Sequence, residues 1–218
     1  MKINKHIEHT LLKPTASEKE IIKLCKEAKQ YDFHSVCLNS YYVPFAKELL
    51  KKTSIKIVSV VGFPLGAMST KAKIFEAKNA IEEGADEIDM VLNLGALKSK
   101  NYVAVYKDLS DVKLAIGLKT PLKVIIEISE LSKNEIIKAT EICLDAKIDF
   151  IKTSTGFSKS GATLTAVKII KKTVKSNARI KASGGINTTE LAQKYINAGA
   201  DRIGTSSGVD IMNPQQNL

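Results

Sequence analysis

Short apolar runs alternate along this chain with longer stretches in which apolar residues recur every third or fourth position. The short runs are Ser35–Leu38, Ile55–Val61, Glu87–Leu92, Leu122–Ile128, Asp149–Lys152, Arg179–Ala182 and Arg202–Thr205, with a weaker one at Ile7–Thr10. Most are rich in Val or Ile and lack a polar face, as strands covered on both sides do. The longer stretches read as helices. Ser17-Glu18-Lys19-Glu20 is a capping box, followed at helical spacing by Ile21, Leu24, Cys25 and Ala28. Ser132-Lys133-Asn134-Glu135 is a second capping box, opening a helix with Ile136, Ala139 and Cys143 on one face. Further helices are predicted over Thr70–Glu83, Tyr102–Leu118, Thr165–Lys175 and Thr188–Ala198, with Gly84 and Gly199 as stops.

Strand and helix in repeated alternation predict right-handed βαβ units. Eight strands in 218 residues predict an α/β fold of the (β/α)8 TIM-barrel type. An open doubly wound sheet is the alternative, weakened because no G-x-G-x-x-G follows the first strand. No linker or low-complexity segment interrupts the pattern, so residues 1–218 are expected to form a single barrel domain.

Composition narrows the function classes. No apolar run approaches the roughly 20 residues of a membrane span. The start, Met1-Lys2-Ile3-Asn4-Lys5-His6, lacks an apolar signal core, so secretion is not expected. The three cysteines, Cys25, Cys37 and Cys143, form no C-x-x-C pair, which fits a reducing cytoplasm and neither a disulfide scaffold nor a zinc ribbon. Lys plus Arg outnumber Asp plus Glu by 33 to 23, a formal charge of +10, yet only Arg179 and Arg202 are arginines. The lysines are spread evenly and there is no Trp. That distribution suits a solvated surface and attraction of a small anion, and not nucleic-acid binding, which brings clustered cations with stacking aromatics.

An internal similarity points to the chemistry. Gly84-Ala85-Asp86-Glu87-Ile88-Asp89 resembles Gly199-Ala200-Asp201-Arg202-Ile203-Gly204, and Lys147-Ile148-Asp149-Phe150-Ile151-Lys152 follows the same helix-end-to-strand design. Aligned so, Asp89, Lys152 and Gly204 share one position late in their strands, the end of a barrel that carries active sites. Lys181 ends Arg179-Ile180 on the next predicted strand, at a depth like that of Lys152. A lysine inside a barrel is costly unless paired. Two on neighbouring strands are expected to disfavour each other's charged form, leaving Lys152 as a neutral amine able to form an imine and Lys181 as its perturber. The bland reading is two ordinary lysines among many. Asp89 is the candidate proton shuttle, against the bland reading of a salt-bridged barrel carboxylate.

The last three strands run into small-residue turns: Ser154-Thr155-Gly156, Ser183-Gly184-Gly185 and Gly204-Thr205-Ser206-Ser207-Gly208. Exposed backbone N–H groups at such turns bind phosphate, and barrels often hold phosphate after strands 7 and 8. His6, His9 and His34 do not read as a converging zinc site, and Cys37 reads as a barrel-filling thiol.

Taken in order, several segments resemble the deoxyribose-phosphate aldolase family of class I aldolases. They are His9-Thr10-Leu11-Leu12-Lys13, Val36-Cys37-Leu38-Asn39, Val61-Gly62-Phe63-Pro64-Leu65-Gly66, Ala85–Val91, Gly95–Lys98, Lys123–Glu127, Asp149–Phe157, Lys181–Gly185 and Arg202–Gly208. The resemblance covers about Ile7 to Met212. It implies a (β/α)8 barrel without metal or other cofactor, reversibly cleaving 2-deoxy-D-ribose 5-phosphate to D-glyceraldehyde 3-phosphate and acetaldehyde in deoxyribonucleoside catabolism. By motif match it implies Lys152 as the Schiff-base lysine, Lys181 as the second lysine and Asp89 as the proton-transferring aspartate. Gly156, Gly184, Gly185, Ser206 and Ser207 match positions that hold the phosphate, and Thr10 matches a threonine of the hydroxyl-binding and relay network. The implied partner is a small phosphorylated sugar, with no nucleic acid and no membrane, and a homodimer is left open.

The chain departs from the family pattern at Glu8 (usually Asp), Ile128 (commonly Thr), Ser160 (usually Gly) and Asn187 (Arg in many relatives), and Asn213–Leu218 lacks the tyrosine tail of some members. Other readings kept in view are a metal-dependent lyase, a basic nucleic-acid-binding module, and another imine-forming aldolase or transaldolase-like lyase acting on a phosphorylated sugar.

Overall fold

The computed structural model describes residues 2–213; the tail noted above for its lack of tyrosine falls outside them from residue 214 on. Eight strands close into a barrel in chain order: β1 Ile7–Leu11, β2 Ser35–Leu38, β3 Lys56–Val61, β4 Glu87–Val91, β5 Leu122–Ile125, β6 Phe150–Lys152, β7 Arg179–Ser183 and β8 Arg202–Thr205. Every neighbouring pair is parallel, and the weakly signalled β1 closes the ring against β8, with His9 opposite Thr205. The helices between strands are α1 Glu18–Tyr31, α2 Val43–Leu50, α3 Thr70–Glu82, α4 Leu94–Lys98, α5 Tyr102–Ile116, α6 Lys133–Asp145, α7 Leu164–Val174 and α8 Thr189–Asn197, with α9 Gly208–Met212 after β8.

Local chemistry explains the boundaries. Both capping boxes form: the Glu20 carboxylate accepts from the Ser17 N–H at 2.8 Å, and Glu135 accepts from the Ser132 N–H at 2.7 Å. Sequence periodicity missed α2, whose eight residues carry Pro44 in second position and bury only Val43, Ala46 and Leu50; a proline in the first turn is tolerated because that N–H has no helical partner anyway. The fifth strand is shorter than the apolar run Leu122–Ile128 predicts. Its ladder stops at Ile125, the backbone turns left-handed at Glu127, and Ile128–Glu130 forms a 3-10 turn. Ile128 is buried in the main core, so its side chain is packing material there.

That core fills the shell between sheet and helices, where outward-facing strand residues such as Ile57, Ile88, Val124 and Ile180 meet Ala77, Leu109, Cys143 and Ile170 of the helices. Barrel interiors are filled in tiers from alternate strands, normally by branched apolar side chains. Here the tiers are polar. Asp89, Lys152 and Gly204 come from the alternate strands β4, β6 and β8, as their internal sequence similarity anticipates. Glu8, Lys123 and Lys181 come from β1, β5 and β7, and Glu87, Phe150 and Arg202 lie nearer the floor.

Candidate active site

Strand alternation aims every second side chain of β4 to β8 inward, and three of those side chains are lysines. Asp89, fully buried, receives all three ammoniums: Lys152 Nζ and Lys181 Nζ donate to Oδ2 at 2.8 and 2.7 Å, and Lys123 Nζ donates to Oδ1 at 2.9 Å. Lys181 also donates to Glu8, and Lys123 also pairs with Glu87 at 2.5 Å. Three ammoniums thus face the three carboxylates Glu8, Glu87 and Asp89, a balanced buried charge. Lys152 and Lys181 are register partners across β6 and β7.

Gly204 makes the arrangement sterically possible. A Cβ there would stand 2.8 Å from Lys181 Cε, so any side chain would push that lysine off its carboxylates.

The electrostatics correct one expectation. Lys181 was expected to act as a bare like charge beside Lys152. Burial does work against its ammonium, but the Asp89 and Glu8 carboxylates outweigh burial and raise its pKa well above the ordinary lysine value. Burial likewise works to raise the Asp89 carboxyl, and Lys123, Lys152 and Lys181 together hold it well below the usual range. Lys181 is therefore a compensated ammonium. Sequence reading placed Lys123 in a resembling segment but gave it no role in the site. Its signal was the one used for the other two lysines: a charge inside the apolar run Leu122-Lys123-Val124-Ile125. Glu8 and Glu87 were missed as members of the cluster for the same reason.

A cavity of about 500 Å³ opens above this cluster at the C-terminal mouth of the barrel. Lys152 forms part of its floor, while Asp89 and Lys181 lie beneath. Thr10, Gly156, Gly184, Gly185, Ser206 and Ser207, drawn from three separate loops and β1, all line it. The structure therefore gathers every singled-out residue around one site. Gly184 shows why its turn is tight: it adopts φ +91°, and a Cβ would approach Gly161 Cα to 2.7 Å. The loop after β8 is tied to the loop after β7, since Thr205 Oγ1 donates to the Ile186 carbonyl at 2.6 Å and accepts from the Ser207 N–H at 2.9 Å. Thr10 donates its hydroxyl to the Glu8 carbonyl at 2.9 Å. Asn187 lines the same wall as a neutral side chain.

An apolar cluster adjoins the cavity at Leu12. Leu12, Cys37, Val58 and Val60 form a small buried cluster capped by Phe63, and Phe63 meets Phe157 edge to face at 5.3 Å across the mouth. Cys37 fills the barrel as expected, its Sγ 3.9 Å from Asp89 Oδ2 and its thiol pKa pushed up by burial. Phe157 is held by its loop: its N–H donates to Thr155 Oγ1 at 3.0 Å, Thr155 donates to the buried Glu127, and Ser158 donates to Glu130 at 2.6 Å. The mouth is thus lined by backbone, hydroxyls and the apolar side chains Leu11, Leu12, Phe157 and Ile186.

The histidines lie apart from this centre. His6 contacts the Asp201 carbonyl, His9 pairs with Glu27 at 2.8 Å, and His34 meets Arg202 at 2.8 Å on the barrel floor. Burial and the Arg202 guanidinium lower the His34 pKa. Among the described residues no three His, Cys, Asp or Glu side chains converge in a metal-holding group, and no helix is long and apolar enough to cross a membrane.

Comparison with known proteins agrees with this geometry. Residues 7–213 match the DeoC/LacD family aldolase. Deoxyribose-phosphate aldolase 1 of Mesoplasma florum is 56% identical over 217 residues, covering all of this chain and 98% of the relative. Deoxyribose-phosphate aldolase of Thermococcus gammatolerans is 51% identical over 220 residues, covering all of this chain and 98% of that one. Among solved structures, the tetrameric deoxyribose phosphate aldolase from Aeropyrum pernix superimposes with a TM-score of 0.90 at 34% identity, covering 99% of this chain and 92% of that chain.

Proposed function

The chain belongs to the DeoC/LacD family of aldolases, and from that premise we propose that it reversibly cleaves 2-deoxy-D-ribose 5-phosphate to D-glyceraldehyde 3-phosphate and acetaldehyde through an imine on Lys152. The observation that carries the reading is a lysine on the floor of a 500 Å³ cavity, bonded to a buried aspartate that two further lysines share.

The chemistry follows from charge. Lys152 must shed a proton to attack the open-chain aldehyde, and the acceptor in contact is Asp89 Oδ2 at 2.8 Å. Three ammonium partners make protonated Asp89 a high-energy form. The proton therefore does not rest there but passes to the hydroxyl that leaves as water when the carbinolamine collapses. The resulting iminium carries the same charge as the ammonium it replaces. It restores the three-against-three balance of the lysine–carboxylate cluster, so the charges that favour the electron sink are in place before substrate arrives. As the C3 hydroxyl loses its proton, the C2–C3 electron pair moves into the iminium. Glyceraldehyde 3-phosphate departs and an enamine of acetaldehyde stays on Lys152. Protonation at C2, with Asp89, Lys181 and water sharing the transfers, and hydrolysis then free acetaldehyde. Gly156, Gly184, Gly185, Ser206 and Ser207 hold the phosphate, and Thr10 stands where it bonds a substrate hydroxyl.

We read residues 1–218 as one barrel domain working in the cytoplasm, which suits three buried free thiols. We also expect a second copy as partner, because Tyr41 and Leu65, on the loops after β2 and β3, are 81% and 75% exposed; light scattering tests that.

Borohydride trapping tests the reaction. Incubation with 2-deoxyribose 5-phosphate, reduction and peptide mapping are expected to find an ethyl group on Lys152. The same group on Lys181 reverses the lysine roles, and no adduct on folded protein removes the imine mechanism.

A further inference from the structure

We propose that Lys13 reads the charge of the substrate's phosphate, so that it sets the preference for phosphorylated over unphosphorylated sugar. The proposal rests on the phosphorylated-sugar reading above and asks what supplies the cavity's positive charge. Among the described residues lining the cavity, only Lys13 and Lys152 are charged. Lys152 is committed to Asp89 and to the reacting carbon. Asn187 and Phe157, on the walls nearest the glycine turns, carry no charge. Backbone N–H groups and hydroxyls can orient a phosphate, but a dianion in a half-enclosed site is left uncompensated unless a cation joins it.

Lys13 is placed for that task. It lies two residues beyond the end of β1, and β1 pairs with β8, whose loop carries Ser206 and Ser207. Its ammonium now pairs with Glu20 on α1. That pair is built to separate. The Lys13 side chain is 49% exposed, and ion pairs that exposed are weak. Glu20 keeps partners of its own when Lys13 leaves, since its other oxygen accepts from the Ser17 N–H at 2.8 Å and the Ser17 hydroxyl at 2.9 Å in the capping box. Lysine is a point charge on a flexible stem, so leaving Glu20 for a phosphate costs a change of rotamer and no change of backbone.

Steady-state kinetics of Lys13→Met with 2-deoxyribose 5-phosphate and with unphosphorylated 2-deoxyribose test the proposal. For the phosphorylated sugar KM is expected to rise about tenfold or more with kcat within about threefold, while kcat/KM for the unphosphorylated sugar stays within about twofold. The Ki of inorganic phosphate as a competitive inhibitor should rise by the same factor, and Lys13→Arg should recover most of the loss. Equal losses on both sugars, or no loss on either, overturn the proposal while leaving the aldolase assignment intact. A wild-type enzyme that cleaves neither sugar overturns the assignment itself, and the proposal with it.

Discussion

Two buried lysine–carboxylate systems lie within this barrel, and their difference separates structure from chemistry. Lys73 of α3 donates to Asp108 of α5 at 2.6 Å and to the Val91 carbonyl at 3.0 Å, while the other Asp108 oxygen accepts from Thr70 at 2.8 Å. Every group there has its own partner, and both Lys73 and Asp108 are buried. Around Asp89, by contrast, one carboxylate serves three ammoniums, and the Lys152 ammonium faces an open cavity with Asp89 as its carboxylate partner. The first arrangement clamps two helices to the end of β4. The second is shared and open on one side, so one member can exchange its proton for a bond to carbon without leaving a buried charge bare. Burial and ion pairing alone do not mark a catalytic lysine; sharing and access do.

Substitutions can break that contrast, and the largest effect is expected at Lys152. Lys152→Met should lower kcat/KM by about 10⁴-fold or more, with no reducible adduct. Asp89→Asn should cost roughly 10²- to 10⁴-fold in kcat by removing the proton acceptor, and it should also lower unfolding free energy, since three buried ammoniums lose their shared anion. Lys73→Met should do the reverse of Lys152→Met: a loss of about 3–5 kcal/mol in urea denaturation, with kcat of the folded enzyme nearly unchanged. If Lys73→Met also abolishes turnover at full occupancy of the folded state, the division into clamp and catalyst is wrong.

The smallest effect is the pH dependence of stability. Asp89 has a depressed pKa in the folded protein, so its contribution is present above the ordinary carboxylate value of about 4 and is lost as pH falls through the folded value. Lys181 has a raised pKa, so its contribution is present below the ordinary lysine value of about 10.4 and is lost as pH rises through the folded value. Urea midpoints should therefore be flat across neutral pH and fall on both sides. Asp89→Asn should remove part of the acid limb, whereas Lys73→Met should lower the plateau.

Much of this was legible before any fold was known. Alternating short Val/Ile runs and capped amphipathic stretches state a period, and a period is local, so eight strands and the main helices could be read directly. Helix α2 escaped because it is short and carries a proline in its first turn, and the end of β5 escaped because Glu127 adopts φ +52°, which no apolar pattern signals. Lys152, Lys181 and Asp89 were legible because a charge inside an apolar run near a strand's end is anomalous on its own. Lys123 and Glu87 sit in equally apolar runs, but Lys123 is the second residue of β5 and Glu87 the first of β4, positions that spacing alone does not place at the rim. Glu8 looked like a minor departure until β1 met β8 and turned it toward Lys181.

The residues of the chain, read in order, settle the alternation of strands and helices, the strand sequence and the chemical types at the strand ends, because hydrophobic period and residue chemistry are properties of neighbours along the backbone. Which lysine is compensated and which is open is a matter of contacts between β1, β4, β5, β6 and β7, residues as far apart as Glu8 and Lys181. A carboxylate's hold on an ammonium falls off within a few ångströms, so the charge balance of the site came into being only when the strands closed around it.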